Sequence, residues 1–397
     1  MTVKPDEKSL FTFEFMALCM VIVTAFCNVS VFYSFYYYLG VIEIPLVWRG
    51  FLVGLEPMAA FALRLFVLPW LHVRNAYGVI MASLVLLVVV SCSYLWVTTV
   101  TAMVVLRIIH GAVFVLITSA VISLMVNFIP PEKSGQGFSM LSIAFMIPYA
   151  LIPPLTEALL PRVRNAADIY AGVSIFSVAA IVLMIALRKR IGNKLSGMDG
   201  VLMRRLNLTE IRDNFRQHAV VILLLAMLFI YLAHATFFYF MKNLSLQTGI
   251  GSVGVFFTVS MAMMIAVRLF GTALFDRVNK LRLLMIVLVL LVLCLIALPN
   301  VSTLSGYYLL AVVYGGTMGV ALPILNALIF SASAPALRGL NTNMSLFAID
   351  AGYFITPYLG GMLITLGADF GKLFYMAAGF TLLCLVLIMM VGRRMKG

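Results

Sequence analysis

Arg64-Leu65-Phe66 returns as Arg268-Leu269-Phe270, an offset of 204 residues. The same offset carries Gly50 to Gly254, Asn75 to Asn279, Gly111 to Gly315 and Pro131 to Pro335. It continues through Gly135 and Gly339, Met140 and Met344, Tyr149 and Tyr353, and Pro153 and Pro357. A single spacing that holds from Gly50 to Pro153 without a gap marks two copies of one unit.

The unit belongs in a bilayer. Of 397 residues 64% are hydrophobic and 10% charged, and the mean hydropathy is +1.13. A soluble domain carries about 25% charged residues, so this chain lacks the polar surface to cover a water-soluble globule. Backbone groups in hydrocarbon must be satisfied within the protein, which leaves helices or closed barrels. The apolar runs have the length of a membrane helix, about 20 residues, rather than that of alternating barrel strands. The fold class expected is an all-α integral membrane protein.

Twelve spans are predicted, near 13–38, 48–70, 76–96, 98–126, 138–160 and 168–188, then 219–242, 251–273, 281–298, 305–330, 343–366 and 369–392. Two six-helix bundles follow, residues 1–190 and 218–397, joined by a polar, basic linker at 191–217 with a surface helix expected near 201–215. With the N-terminus inside, the linker and inner loops collect most of the Lys and Arg. The outer side keeps only Arg49, Arg162, Arg164, Lys242 and Lys372. This bias predicts cytoplasmic termini and a cell inner (plasma) membrane location. Topology and anionic headgroups account for the net charge of +13 without a nucleic-acid partner. The run from Phe13 is too long for a signal-peptide core, so the first span is expected to be retained.

Cys19, Cys27, Cys92, Cys294 and Cys384 all fall within spans at unpaired spacings and read as buried apolar residues. The 25 methionines raise the prospect of a soft-metal path, at Met16, Cys19 and Met20 or at Met261, Met263 and Met264. They converge on no one depth or face, and flexible apolar filling is the simpler reading. No metal and no cofactor is expected. No phosphate-cradling loop, zinc-protease helix or nucleophile triad is found, which sets aside an enzyme and an ATP-driven pump.

Paired helical bundles leave an interface on their pseudo-twofold axis, where secondary transporters place their sites. Two local sequences sharpen this. Asp276-Arg277-Val278-Asn279-Lys280 follows the eighth span, and Arg107-Ile108-Ile109-His110-Gly111 lies in the fourth. The first resembles the Gly-x-x-x-Asp-Arg-x-Gly-Arg-Arg signature of the major facilitator superfamily, with Thr272 and Asn279 at the glycine positions. The second resembles the Arg-x-x-Gln-Gly motif of its proton-coupled members, with His110 at the glutamine. The first-half loop, Leu71-His72-Val73-Arg74-Asn75, lacks the acid and glycines of that signature. The fifth span has Pro148, Pro153, Pro154 and Glu157 in place of the Gly-Pro antiporter motif. The resemblance implies a cavity lined by the first, fourth, seventh and tenth spans.

Ionisable groups at membrane depth are costly and read first as functional. Arg107 sits about nine residues into its span, roughly 14 Å deep, and His110 shares its face one turn on. The pair is assigned to substrate binding, with His110 also a proton relay. The alternative for Arg107 is a structural pair with Glu56. Tyr33, Asn28, His234, Tyr314 and Asn326 complete the expected substrate site, while Glu56 and Asp350 are the acids chosen for proton coupling. Arg64 and Arg268, equivalent by the repeat, are read as gate residues with Asp276 and Arg277. The aromatic run from Phe32 to Tyr38 is read mostly as an interfacial belt.

The expected activity is proton-coupled efflux of a small organic solute, an anion being one class considered, by a monomer in the bilayer. Proton-coupled uptake of a carboxylate-like anion and a non-transporting receptor or assembly factor are the alternatives.

Overall fold

The computed structural model describes residues 10–71, 73–125, 128–129, 134–195, 217–271, 278–333 and 337–394. The surface helix expected near 201–215 lies outside them, as do Asp276 and Arg277. Among the described residues twelve helices are long and apolar enough to cross a membrane. Span 1 is Phe13–Ser30, a 3-10 turn at Val31–Ser34 and a short helix Phe35–Val41. Spans 2 to 6 are Leu46–Trp70, Val73–Ser93, Val100–Met125, Ser134–Leu159 and Ala166–Leu195. Spans 7 to 12 are His218–Thr248, Val253–Phe270, Lys280–Ala297, Leu304–Ala332, Arg338–Thr365 and Phe370–Arg394.

Local chemistry sets the helix ends. The hydroxyls of Thr12, Ser252 and Thr303 and the side chain of Asn279 accept from amides in the first turn of spans 1, 8, 10 and 9, satisfying donors that a helix start leaves free. Gly249 closes span 7 in the left-handed region, φ 71°, which only glycine adopts at no steric cost. Pro148, Pro153 and Pro154 sit inside span 5, with Pro357 inside span 11. Neighbouring helices make such interruptions tolerable in a membrane.

Span 2 lies along span 11 and span 5 along span 8. These two antiparallel pairs are images of each other under the repeat, and they form the seam between the halves. With an even number of spans per half, the linker and both chain ends share one face, called here the linker face.

The apolar core is asymmetric along the membrane normal. One cluster joins the far ends of the N-terminal spans, through Tyr33, Phe35, Leu52, Met103, Ile152 and Tyr170, to the whole C-terminal half. A separate cluster, including Phe15, Leu84, Leu124, Leu141 and Met184, belongs to the N-terminal half alone and lies toward the linker face. The halves are fused on the far side and have distinct cores on the linker side.

Candidate functional site

Glycines set the closeness of the seam. A Cβ on Gly50 would strike Pro357 and the backbone of Gly361, and one on Gly254 would strike Pro154 and Glu157. The repeat maps Gly50 to Gly254 and Gly361 to Glu157, so the two contacts are one contact made twice. Within each half the same holds. Gly111 packs on the backbone of Glu56, and Gly315 packs on the backbone of Ser260, its equivalent. Small residues allow this approach of helix backbones where lipid gives no hydrophobic drive to pack.

Two ion pairs cross the seam. Arg64 of span 2 donates from Nε to Asp350 of span 11 at 2.6 Å and from Nη2 at 3.3 Å. On the far side Lys242 of span 7 places Nζ 2.7 Å from both oxygens of Glu157 in span 5. The Tyr33 hydroxyl donates to the same carboxylate. All five side chains are buried or half-buried. Burial of this kind makes each partner depend on the other, because a charge left alone there is strongly destabilising.

A third cluster is internal to the N-terminal half. Arg107 is fully enclosed. Its guanidinium donates to the carbonyls of Leu52 and Val53 at 3.1 and 2.9 Å, to Glu56 at 3.3 Å and to the Tyr94 hydroxyl at 3.4 Å. The Phe35 ring lies 4.5 Å from it and Phe32 5.4 Å, a cation–π arrangement. Tyr94 also bonds His110 Nδ1 at 3.1 Å. This sealed network ties spans 1 to 4 together.

Between the halves lies a group of half-exposed aromatic residues. Tyr149 of span 5 and its repeat partner Tyr353 of span 11 both pack against Phe238 of span 7. Tyr231 and His234 of span 7 complete the C-terminal side, each with its ring centroid about 6 Å from that of Tyr353. His234 Nδ1 lies 2.6 Å from the Tyr314 hydroxyl. The surroundings are rich in ring faces and carry a cation from span 8, Arg268.

The sequence matches the Major Facilitator Superfamily over residues 50–349. The chain belongs to the Major Facilitator Superfamily. Its fold is similar to the crystal structure of nucleoside transporter NupG, with TM-score 0.73 and 14% identity over 96% of this chain and 99% of that one. It is also similar to the human organic anion transporter MFSD10 (TETRAN), with TM-score 0.63 and 16% identity over 97% and 100% of the two chains. A search of curated protein sequences finds no significant match.

In this superfamily member the residues expected to form one site occupy three places. Arg107, His110 and Glu56 come together in the buried N-terminal network, and the charges of Arg107 and Glu56 are also felt by Tyr239 of span 7. Asn28 donates to Ser177 at 2.9 Å and accepts from Ser91 at 3.3 Å, so it pins spans 1, 3 and 6 within its own half. Asn326 is exposed and turns back to the Leu322 carbonyl at 3.1 Å. His234 and Tyr314 meet on the C-terminal side, with His234 half-exposed beside Tyr353. Arg64 and Asp350, placed in different roles by the sequence, are partners 286 positions apart.

Two readings are corrected. The aromatic run is not a belt: Phe32, Tyr33, Phe35, Tyr36 and Tyr38 are buried, and Tyr37 alone in it is exposed. Two of those rings, Phe32 and Phe35, lie over the Arg107 guanidinium. Lys242 is not an outer-loop residue, because span 7 continues to Thr248 and buries it. The Lys242–Glu157 pair was missed for that reason. One signal was available, since Glu157 stands where the second copy has Gly361.

Proposed function

We propose that this chain is a secondary transporter that exports a small organic solute in exchange for protons by rocking its two bundles. The observation that carries the reading is the pair of ion bridges across one seam, Arg64–Asp350 and Glu157–Lys242, at different depths on a repeat-symmetric interface. The Arg64–Asp350 bridge holds only while its carboxylate is ionised, so a proton competes with a cation for a contact between the halves. That links protonation to bundle separation without any further device. Asp350 is the coupling acid in this scheme, Arg64 and Arg268 belong to the moving seam, and the Glu56–Arg107 pair is a rigid fastener that moves with its bundle.

The solved relatives support the solute class, being named as transporters of nucleosides and of organic anions. The likeness of Arg107–Gly111 to the motif of proton-coupled members supports the proton coupling, and export is the direction we favour over uptake. The charge bias supports a linker face in the cytoplasm of a cell inner membrane, and in this reading the chain acts as a monomer.

The test is conformational and needs no known substrate. Spin labels at Val47 and Leu366 report the far face, and labels at Phe66 and Phe270 report the linker face. All four positions are exposed, and each pair has one member in each half. Lowering the pH in a cysteine-free background should change the two distances in opposite senses. If both move together, or neither moves, rocking is excluded. In proteoliposomes an acidic lumen should then drive solute inward under antiport; accumulation driven by external acid would reassign the protein to symport.

A further inference from the structure

The two repeat-related arginines have different fates. Arg64 meets Asp350 across the seam. The repeat converts that pair into Arg268 of span 8 facing position 146 of span 5, which is Met146. The carboxylate is missing from the second copy. Among the described residues Arg268 makes no hydrogen bond or ion pair, and its Nε is buried without any partner. Its charge is felt by Tyr231 and His234 on span 7. An unpartnered guanidinium at membrane depth is a costly thing to keep.

The rest of the surroundings is suited to a flat ring. Tyr231 and His234 stand perpendicular, with centroids 5.9 Å apart, and His234 and Tyr353 stand at 89° with centroids 6.1 Å apart. Tyr231, His234, Tyr353 and Arg268 all keep partial exposure. The close contacts between spans 5 and 8 include Gly254 on Pro154 and Thr258 on the Ala150 carbonyl. Arg268 lies ten residues beyond Thr258, or about 15 Å along the helix toward the linker face. It therefore lies toward the side where the halves have separate cores.

We propose that Arg268, with Tyr231, His234 and Tyr353, forms the binding site for a planar aromatic anion, whose carboxylate or phosphate supplies the counter-charge that Asp350 supplies to Arg64. The guanidinium fork fits either anion in a bidentate manner, and the rings stack on the ligand body. This names the substrate class for the transporter reading and rests on that reading for its physiological meaning. The binding itself is measured separately.

The probes are benzoate and phenylphosphate, with benzamide as the neutral isostere and acetate as the ringless anion. Binding to the purified full-length protein is read by calorimetry and thermal shift. Benzoate or phenylphosphate should bind saturably and raise the melting temperature, and benzamide and acetate should bind at least about tenfold more weakly, the scale of a charged hydrogen bond. Arg268→Gln should lose about tenfold or more of the anion affinity while Arg268→Lys retains part of it. Because the empty protein carries a half-buried guanidinium without a counter-charge, Arg268→Gln should also melt at a higher temperature than wild type without ligand. A folded Arg268→Gln protein that binds the anions as wild type does overturns the proposal. So does equal affinity for benzamide, or no binding of either anion. Binding without reciprocal motion of the two faces would leave this site standing and defeat the transporter reading instead.

Discussion

Lys242 and Glu157 join the two halves of the protein on the face away from the linker, with Nζ at 2.7 Å from each carboxylate oxygen. Neither residue has a charged counterpart under the repeat, where positions 38 and 361 are Tyr38 and Gly361. The pair is therefore an addition to a symmetric seam, placed where Gly254 already brings span 8 against Glu157. An addition of this kind biases one of two otherwise comparable states.

The first prediction follows from that bias. Lys242→Met should leave the half-buried Glu157 carboxylate without its cation and release the far face. With a loss of about 2 kcal/mol the ratio of open to closed molecules rises roughly thirtyfold. The Val47–Leu366 label distance should lengthen. The exchanged pair Glu157→Lys with Lys242→Glu should restore the short distance. An unchanged distance in the single variant would mean that the apolar far-side core alone keeps this face closed.

A second prediction concerns Asp350. Asp350→Asn keeps the shape but removes the charge that holds Arg64, leaving both seam arginines without a carboxylate. Breaking a buried pair in this way costs about 3–5 kcal/mol. The Phe66–Phe270 distance should become independent of pH, since the acid that competes for the proton is gone. The sign is fixed by the chemistry: in wild type the bridge is lost as pH falls, so the variant should resemble wild type at low pH. Persistence of the pH response in Asp350→Asn would move coupling to another acid, Glu157 being next in line.

Glycines supply a third. Gly111 and Gly315 are equivalent contacts within the two halves, on the backbones of Glu56 and Ser260. Alanine at either position must push two helices apart, a cost of about 1–3 kcal/mol each. Gly78, in span 3, has nothing within 4 Å of where a Cβ would stand, so Gly78→Ala should be neutral or stabilising. Melting temperatures of the three variants decide the matter. Similar losses at Gly111 and Gly315 would show that the repeat is energetic as well as geometric.

The fold was legible because its determinants are local or periodic. Apolar runs and a constant offset can be counted along a chain, and both survive without knowledge of any contact. The sites were legible only in part because their determinants are pairings across long separations. Arg64 and Asp350 were each noticed, yet nothing in either neighbourhood names the other. Arg107 was singled out for its depth, but depth alone does not say which way a side chain turns. Here it turns into its own bundle, where two carbonyls, a carboxylate and a hydroxyl receive it. Lys242 was missed because a charge near the end of an apolar run looks like the end of the helix. The helix goes on through it, and the carboxylate that neutralises that charge, Glu157, is held in another span. The comparison of the two copies found more than either copy did, since Glu157 against Gly361 and Asp350 against Met146 are visible as broken equivalences.

The last prediction separates a fastener from a binding group at Arg107. Four hydrogen bonds from its guanidinium all go to acceptors within the N-terminal half, and Phe32 and Phe35 lie over it. Arg107→Ala should therefore destabilise the protein by about 3–5 kcal/mol, chiefly by stranding Glu56 and the two carbonyls. The double variant with Glu56→Gln should recover part of that loss, because the stranded charge is then removed as well. Anion affinity in whatever Arg107→Ala protein remains folded should stay within about threefold of wild type. A stable Arg107→Ala protein that has lost the anion would return Arg107 to the substrate site, and would require spans 2 and 4 to open during transport in a way that this packed arrangement forbids.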